Sequence, residues 1–172
     1  LCNYVPEEIL YAAGILPVRI LGSHEPQDIT EPHIFNMYCP FCRDCLAQGL
    51  QGKYDYLDGL TTGHSCMHMR QTFDSWVRPL PITYSHYLFM PAHVQSRHAK
   101  EVLWEELKCF KQSLEDWTGG SISNQALDEA IEVYNTNRRL LKQVYDLRKN
   151  DPPMISGTEA MEVVLSSMLM DK

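Results

Sequence analysis

Tyr54-Asp55-Tyr56-Leu57-Asp58-Gly59-Leu60 leads into Thr61-Thr62-Gly63 and then His64-Ser65-Cys66. The first seven residues are rich in aromatic and aliphatic side chains and read as a short strand, with Thr61-Thr62-Gly63 as the turn out of it. His64 to Val77 then fits a helix, and Ile82 to Met90, again aromatic and β-branched, fits the next strand. A strand, a helix and a second strand in so short a stretch form the unit from which parallel α/β sheets are built.

Working back from this stretch extends the alternation. Phe41 to Leu50 fits a helix ended around Gly52, and Ser23 to Glu31 is a polar loop. Leu16 to Leu21, closed by Gly22, reads as a strand. Pro6-Glu7-Glu8 marks a helix start, with Gly14 as its stop. With Leu1-Cys2 as the tail of an earlier strand, the pattern is β-α-β-α-β-α-β, a doubly wound parallel sheet. A ligand site in such a sheet lies at the carboxyl ends of the strands, where the loop before Cys39 and the Thr61–Cys66 segment would fall.

Working forward, the period changes. Leu103, Leu107, Phe110, Leu114 and Trp117 recur every three or four residues, as do Leu127, Ile131, Tyr134, Leu141, Val144 and Tyr145. Both stripes are read as core. Thr118-Gly119-Gly120 separates them, with Ser123 as the N-cap of the second. Asn150-Asp151-Pro152-Pro153 breaks the chain again before a helix over 159–170, in which Met161, Met168 and Met170 are read as gap-filling apolar residues. The expected organisation is an α/β domain over residues 1–95 and a helical hairpin segment with an extra helix over 96–172.

Composition narrows the function. The 172 residues carry a formal net charge of -7, which argues against nonspecific nucleic-acid binding. No apolar run is long enough to span a membrane and the first residues have no secretory pattern, so a cytoplasmic location is expected. The six cysteines are Cys2, Cys39, Cys42, Cys45, Cys66 and Cys109. Three of them fall within Cys39-Pro40-Phe41-Cys42-Arg43-Asp44-Cys45, crowding that marks a metal or redox site more often than a disulfide framework.

Four readings of these cysteines stand side by side. One is a tetrahedral zinc site from Cys39, Cys42, Cys45 and Cys66, or with His64 or His68 in place of a thiol, although paired CxxC knuckles are missing. One is a self-contained ferredoxin-like cluster, although the fourth cysteine and its proline are missing. In the third, Cys39 and Cys66 alone are ligands, each opening a helix whose dipole stabilises a thiolate. In the fourth, the cysteines are small buried hydrophobes, the favoured reading for Cys2 and Cys109.

Other polar residues carry a functional and a plain reading each. His64 is a candidate proton relay or hydrogen-bond partner of a ligand, and His68 a weaker one. His86, His93 and His98 are spaced as solvated surface rather than as one metal site. Arg70, Arg78 and Arg97 suit phosphate contacts or surface ion pairs. Glu7 suits either the strand-end crevice or the dipole of its own helix.

The chain resembles the 2-hydroxyacyl-CoA dehydratase / benzoyl-CoA reductase family. The resemblance is carried by Tyr4-Val5-Pro6-Glu7-Glu8-Ile9, Ala12-Ala13-Gly14 and Pro17-Val18, by Cys39 through Leu46, by Tyr54 through Leu60, and by Ser65-Cys66. Ala130 through Arg148 resembles the family's helical hairpin. What the resemblance implies is a flavodoxin-like α/β domain and a [4Fe-4S] cluster held by Cys39 and Cys66, with a third cysteine from outside this segment. Cys42 and Cys45 are off the implied ligand positions, and Met67 stands where the family pattern has an Asp after the second ligand.

Further implied are a homologous second catalytic subunit, an ATP-hydrolysing iron–sulfur activator and an acyl-CoA substrate. The expected activity is reduction of the aromatic ring of benzoyl-CoA by low-potential electron transfer. Radical dehydration of a 2-hydroxyacyl-CoA is the alternative, and a non-enzymatic zinc- or iron-binding module is the alternative of another class. Family members are about twice this length, so the segment is expected to be inert and empty of cluster on its own.

Overall fold

The computed structural model describes residues 3–172, so Leu1 and Cys2, with the expected earlier strand, lie outside the described residues. Contacts divide the chain into two compact units. Of the described residues, the first comprises 3–5 and 20–117, and the second 6–19 and 118–172.

The first unit is built around one βαβ element. Strand β1 (Gly59–Gly63) and strand β2 (Tyr84–Leu88) pair in parallel, with Gly59 opposite Tyr84 and Gly63 opposite Leu88. A helix, α3 (Met67–Val77), joins them and packs on both strands. Helix α2 (Pro40–Leu50) packs against α3. Between these elements lie Ile20, Ile34, Cys45, Leu46, Leu60, Phe73 and Trp76, all buried. Each large aliphatic or aromatic side chain removed from water there contributes roughly 2 kcal/mol.

Helix α4 (Ala99–Thr118) belongs to this unit almost throughout. Its buried Phe110 and Leu114 face inward, and Trp117 stacks on Tyr84 with ring centroids 4.6 Å apart. Ser113 Oγ lies 2.7 Å from Tyr84 Oη and 3.2 Å from His86 Nδ1.

The second unit consists of α1 (Glu7–Ala12), α5 (Asn124–Leu147) and α6 (Gly157–Leu169), with α5 packed against both of the others. Tyr11 meets Tyr134 edge to face at 5.8 Å, and Arg19 pairs with Glu7 at 2.5 Å. Ser123, Gly14 and Gly119 mark helix ends as the sequence suggests, and a capping box at Ser156 adds to them. Ser123 Oγ accepts the Ala126 N–H, Gly14 and Gly119 take positive φ, and Ser156 and Glu159 form a reciprocal capping box. The expected hairpin of α4 and α5 divides between the two units.

Several expectations are corrected. The α/β class holds: among the described residues there are six α-helices and one parallel sheet, which has two strands where a doubly wound, flavodoxin-like sheet of more was expected. Residues 16–21 are not a strand. Within the first unit, the backbone of Leu21 is held by side chains instead: its N–H lies 3.3 Å from Tyr54 Oη and its carbonyl accepts from Gln48 Nε2 at 2.6 Å. Tyr54 to Leu57 form turns, so β1 starts at Gly59 and includes the Thr61-Thr62-Gly63 expected as a turn.

The helical stripes are less buried than their period implies. Ile131 and Tyr145 on α5 and Met161 and Met170 around α6 are exposed. Periodicity identifies a helix but does not establish that every apolar position has a neighbour to cover it. Cys109 is likewise exposed on α4, not a buried hydrophobe. His86 is the opposite case: it is tucked under α4, its side chain 17% exposed, rather than solvated.

Candidate functional site

The carboxyl end of β1 runs through His64 and Ser65 into Cys66, the N-cap of α3. The His64 N–H donates to the Leu88 carbonyl at 2.9 Å, which carries the ladder one residue past Gly63 and delays the helix to Met67. Extended Cys66 places Sγ where it accepts the Met69 N–H at 3.3 Å. This thiol is exposed.

Cys39 is the N-cap of α2, followed by Pro40 at the first helical position, where a missing N–H costs nothing. Its side chain caps no backbone group and is half-buried. Its own N–H donates to His68 Nδ1 at 2.7 Å. His68 sits in the first turn of α3, and its ring meets Tyr38 edge to face at 5.1 Å. This bond joins the start of α2 to the start of α3, the two helix ends that carry Cys39 and Cys66.

Below them the thiols are buried. Cys42 is 2% exposed, and its carbonyl accepts the Thr72 hydroxyl at 3.5 Å. Burial pushes the Cys42 thiol up to about 11, against the lowering effect of the Thr72 hydroxyl. Burial likewise pushes Cys45, which has no exposed surface, up to about 12. Both are thiols, not thiolates, near neutral pH.

His64 is half-buried, with Nδ1 3.0 Å from Tyr87 Oη and its ring 5.4 Å from Phe89. It shares the strand end with Cys66. His93 and His98 are exposed, and His98 Nδ1 pairs with Glu101 at 3.3 Å. Arg70, Arg78 and Arg97 are exposed, and Glu7 pairs with Arg19 within the second unit. Among the described residues no group of three or more His, Cys, Asp or Glu is arranged to hold a metal ion.

Sequence reasoning missed Asp44. This buried carboxylate on α2 accepts the Ser23 N–H at 2.5 Å, the Ser23 hydroxyl at 2.8 Å and the His24 N–H at 3.0 Å. Burial alone raises a carboxyl, but these hydrogen bonds outweigh it and hold Asp44 below its ordinary value. Asp44 thereby fastens the loop before Cys39 to α2. The one signal in the sequence was an acid followed directly by the apolar run Cys45-Leu46-Ala47.

The described residues thus form a mixed α/β chain in which a parallel βαβ element carries Cys66 at the N-cap of α3, and Cys39 stands at the N-cap of α2. The model of the family described as 2-hydroxyglutaryl-CoA dehydratase, D-component, matches residues 2–172, and the chain belongs to that family. It is 28% identical over 169 residues to one of the subunits of benzoyl-CoA reductase from Thauera aromatica, covering 97% of this chain and 44% of that protein. It is 28% identical to the (R)-phenyllactyl-CoA dehydratase beta subunit of Clostridium sporogenes, covering 98% of this chain and 45% of that protein. To the beta subunit of (R)-2-hydroxyglutaryl-CoA dehydratase from Acidaminococcus fermentans it is 29% identical, with the same coverage of 98% and 45%. The chain thus spans a little under half the length of these relatives. No helix among the described residues is long and apolar enough to cross a membrane.

Proposed function

We propose that the chain is part of a catalytic subunit that holds an iron–sulfur cluster and acts on a CoA thioester, with reduction of the aromatic ring of benzoyl-CoA as the reaction. The observation that carries this reading is the Cys39 N–H to His68 bond, which tethers the N-caps bearing Cys39 and Cys66. The donor set fits the group: two soft thiols, one exposed and one half-buried, at helix N-termini that favour the thiolate. Two ligands do not complete a cluster, so a third cysteine comes from outside the segment. A [4Fe-4S] cluster bound there supplies single low-potential electrons for the thioester.

This chain's own residues do the rest. Cys39 and Cys66 bind iron, and His68 holds the Cys39 backbone in place. Cys42 and Cys45, buried as neutral thiols, fill the space beneath and keep water out. His64, with Nδ1 against Tyr87 Oη, is the candidate to deliver a proton from its ring to the reduced acyl group. The names of the relatives as subunits support a homologous second subunit as partner. An ATP-hydrolysing activator supplies the electron, and the assembly is cytoplasmic. Dehydration of a 2-hydroxyacyl-CoA is the second reading, favoured by the family's description and by two of the three relatives.

The test is anaerobic iron, sulfide and zinc analysis of the protein purified with its accompanying subunits. About four irons per cluster, lost in Cys39→Ser and Cys66→Ser but kept in Cys42→Ser and Cys45→Ser, is the expected result. One zinc that depends on Cys42 and Cys45 as well would establish a structural metal module and end the enzyme reading. Turnover of benzoyl-CoA against 2-hydroxyacyl-CoA esters by the same preparation separates the two reactions.

A further inference from the structure

A serine or threonine buried in a helix ordinarily returns its hydroxyl proton to the carbonyl four residues back. Thr72 on α3 does so: the nearer of its two acceptors is the His68 carbonyl, at 3.0 Å. Ser75, one turn further on and 5% exposed, spends its proton elsewhere. Its Oγ donates to the His33 carbonyl at 2.8 Å, across 42 positions of sequence. Gln71 Nε2 donates to the same Oγ at 3.2 Å, which fixes the direction, because the hydroxyl has a single proton to give.

His33 begins the segment that ends at Cys39. Its side chain is exposed, so α3 holds it by the backbone alone. At the other end His68 accepts the Cys39 N–H at 2.7 Å. His68 and Ser75 stand on one face of α3, about 10 Å apart along its axis. Fully extended, the segment between them could reach about 20 Å. A turn closed by the Tyr38 N–H on the Phe35 carbonyl at 3.0 Å takes up the slack, and buried Ile34 pins the segment to the core from beneath.

We propose that Ser75 is a positioning residue for Cys39: by holding the His33 carbonyl it fixes where the N-cap of α2 stands against Cys66. Helix α3 is the template, because Cys66 opens the same helix that carries both clamps. Without Ser75 the segment is tied to α3 at one end, and the turn is free to open under Cys39. The bearing of this on an iron–sulfur cluster rests on the reading above. The hold of Ser75 on Cys39 does not.

The experiment uses the protein purified anaerobically with its accompanying subunits, as parent, Ser75→Ala, Ser75→Thr and Thr72→Val. Amide hydrogen exchange is followed in overlapping peptic fragments that separate Ile34 from Cys39. The reduced cluster is recorded by electron paramagnetic resonance. In Ser75→Ala the Cys39 amide should exchange about tenfold faster, as loss of one buried hydrogen bond implies, and the resonance line shape should change. Ser75→Thr, which keeps the hydroxyl, should return both to the parent's. Thr72→Val, whose main loss is a bond to its own helix, should move neither. Faster exchange at Ile34 alone, with Cys39 as slow as in the parent, would overturn the proposal by confining Ser75 to the start of the segment. So would a Thr72→Val that matches Ser75→Ala, the sign of a general loosening of α3, or a line shape unchanged in Ser75→Ala. A parent without iron would end the cluster reading instead, and exchange at Cys39 would still decide for or against Ser75.

Discussion

The backbone N–H of Cys39 points at Nδ1 of His68, 2.7 Å away. That bond fixes the tautomer: Nδ1 carries the lone pair and the ring proton sits on Nε2. It also makes one histidine responsible for the spacing of two helix starts, because His68 rides on the turn that Cys66 opens. Replacing it with Phe keeps a ring beside Tyr38 but leaves a half-buried N–H unpaired, at a cost of about 1–2 kcal/mol. His68→Phe should therefore lower the denaturant midpoint and speed alkylation of Cys39. His68→Asn, whose carbonyl can accept, should recover part of both. An alkylation rate unchanged in His68→Phe would show that the tether does not hold the site.

Asp44 should be worth more than any surface acid of this chain. Removing it strands the Ser23 and His24 donors, so Asp44→Ala should cost about 3 kcal/mol. Its carboxyl sits below the ordinary value of 3.8 in the folded state. The stability it supplies is therefore complete above that value and is lost as the pH falls through the lower, folded one. Unfolding free energy measured from pH 6 down to 3 should fall more steeply in the parent than in Asp44→Asn.

His86 acts in the same direction by a different cause. Burial under α4 disfavours its charged form and lowers it from 6.5, against the pull of Glu106, whose Oε1 is 3.7 Å from Nε2. A histidine that binds its proton less tightly when folded leaves stability whole above 6.5 and erodes it as the pH drops below. The parent should lose stability between pH 7 and 5, and His86→Gln should flatten that part of the curve. Equal slopes in the two proteins would mean the imidazole is not kept neutral.

Gly49 lies on α2 where a Cβ would come within 2.8 Å of both Trp76 Cζ2 and Leu80 Cδ1. Ala is the better helix former by about 1 kcal/mol on an open face. Here the overpacking against a buried indole, about 2 kcal/mol or more, should win. Thermal unfolding of Gly49→Ala is expected at a lower midpoint than the parent, and a higher one would mean that Trp76 yields easily.

Punctuation in the sequence was legible because it is local. Pro6-Glu7-Glu8, Gly14, Gly52, Gly119 and Ser123 each bound a helix for reasons contained in one or two residues. The strand over residues 16–21 was misread because an apolar run does not reveal its hydrogen-bond partners. Leu21 is satisfied by Gln48 and Tyr54, residues that carry no mark of pairing with it. Tyr54 and Leu57 look like strand residues because they cover the core, which turns can do as well. At the site, Cys39 and Cys66 were found as helix openers, and both are N-caps. His68 was underrated because its worth lies in a bond across 29 positions, and Asp44 was passed over because its partners are in a loop.

Cys45 closes the matter from an unexpected side. A sulfur with no exposed surface, buried among Leu46, Leu60 and Trp76, meets a water-borne reagent only when the whole first unit comes apart. Its labelling rate, followed beside that of exposed Cys109 on α4, turns the chain into its own stopwatch. The quick thiol keeps time for the reagent and the slow one counts each excursion to the unfolded ensemble, with no dye, tag or engineered probe.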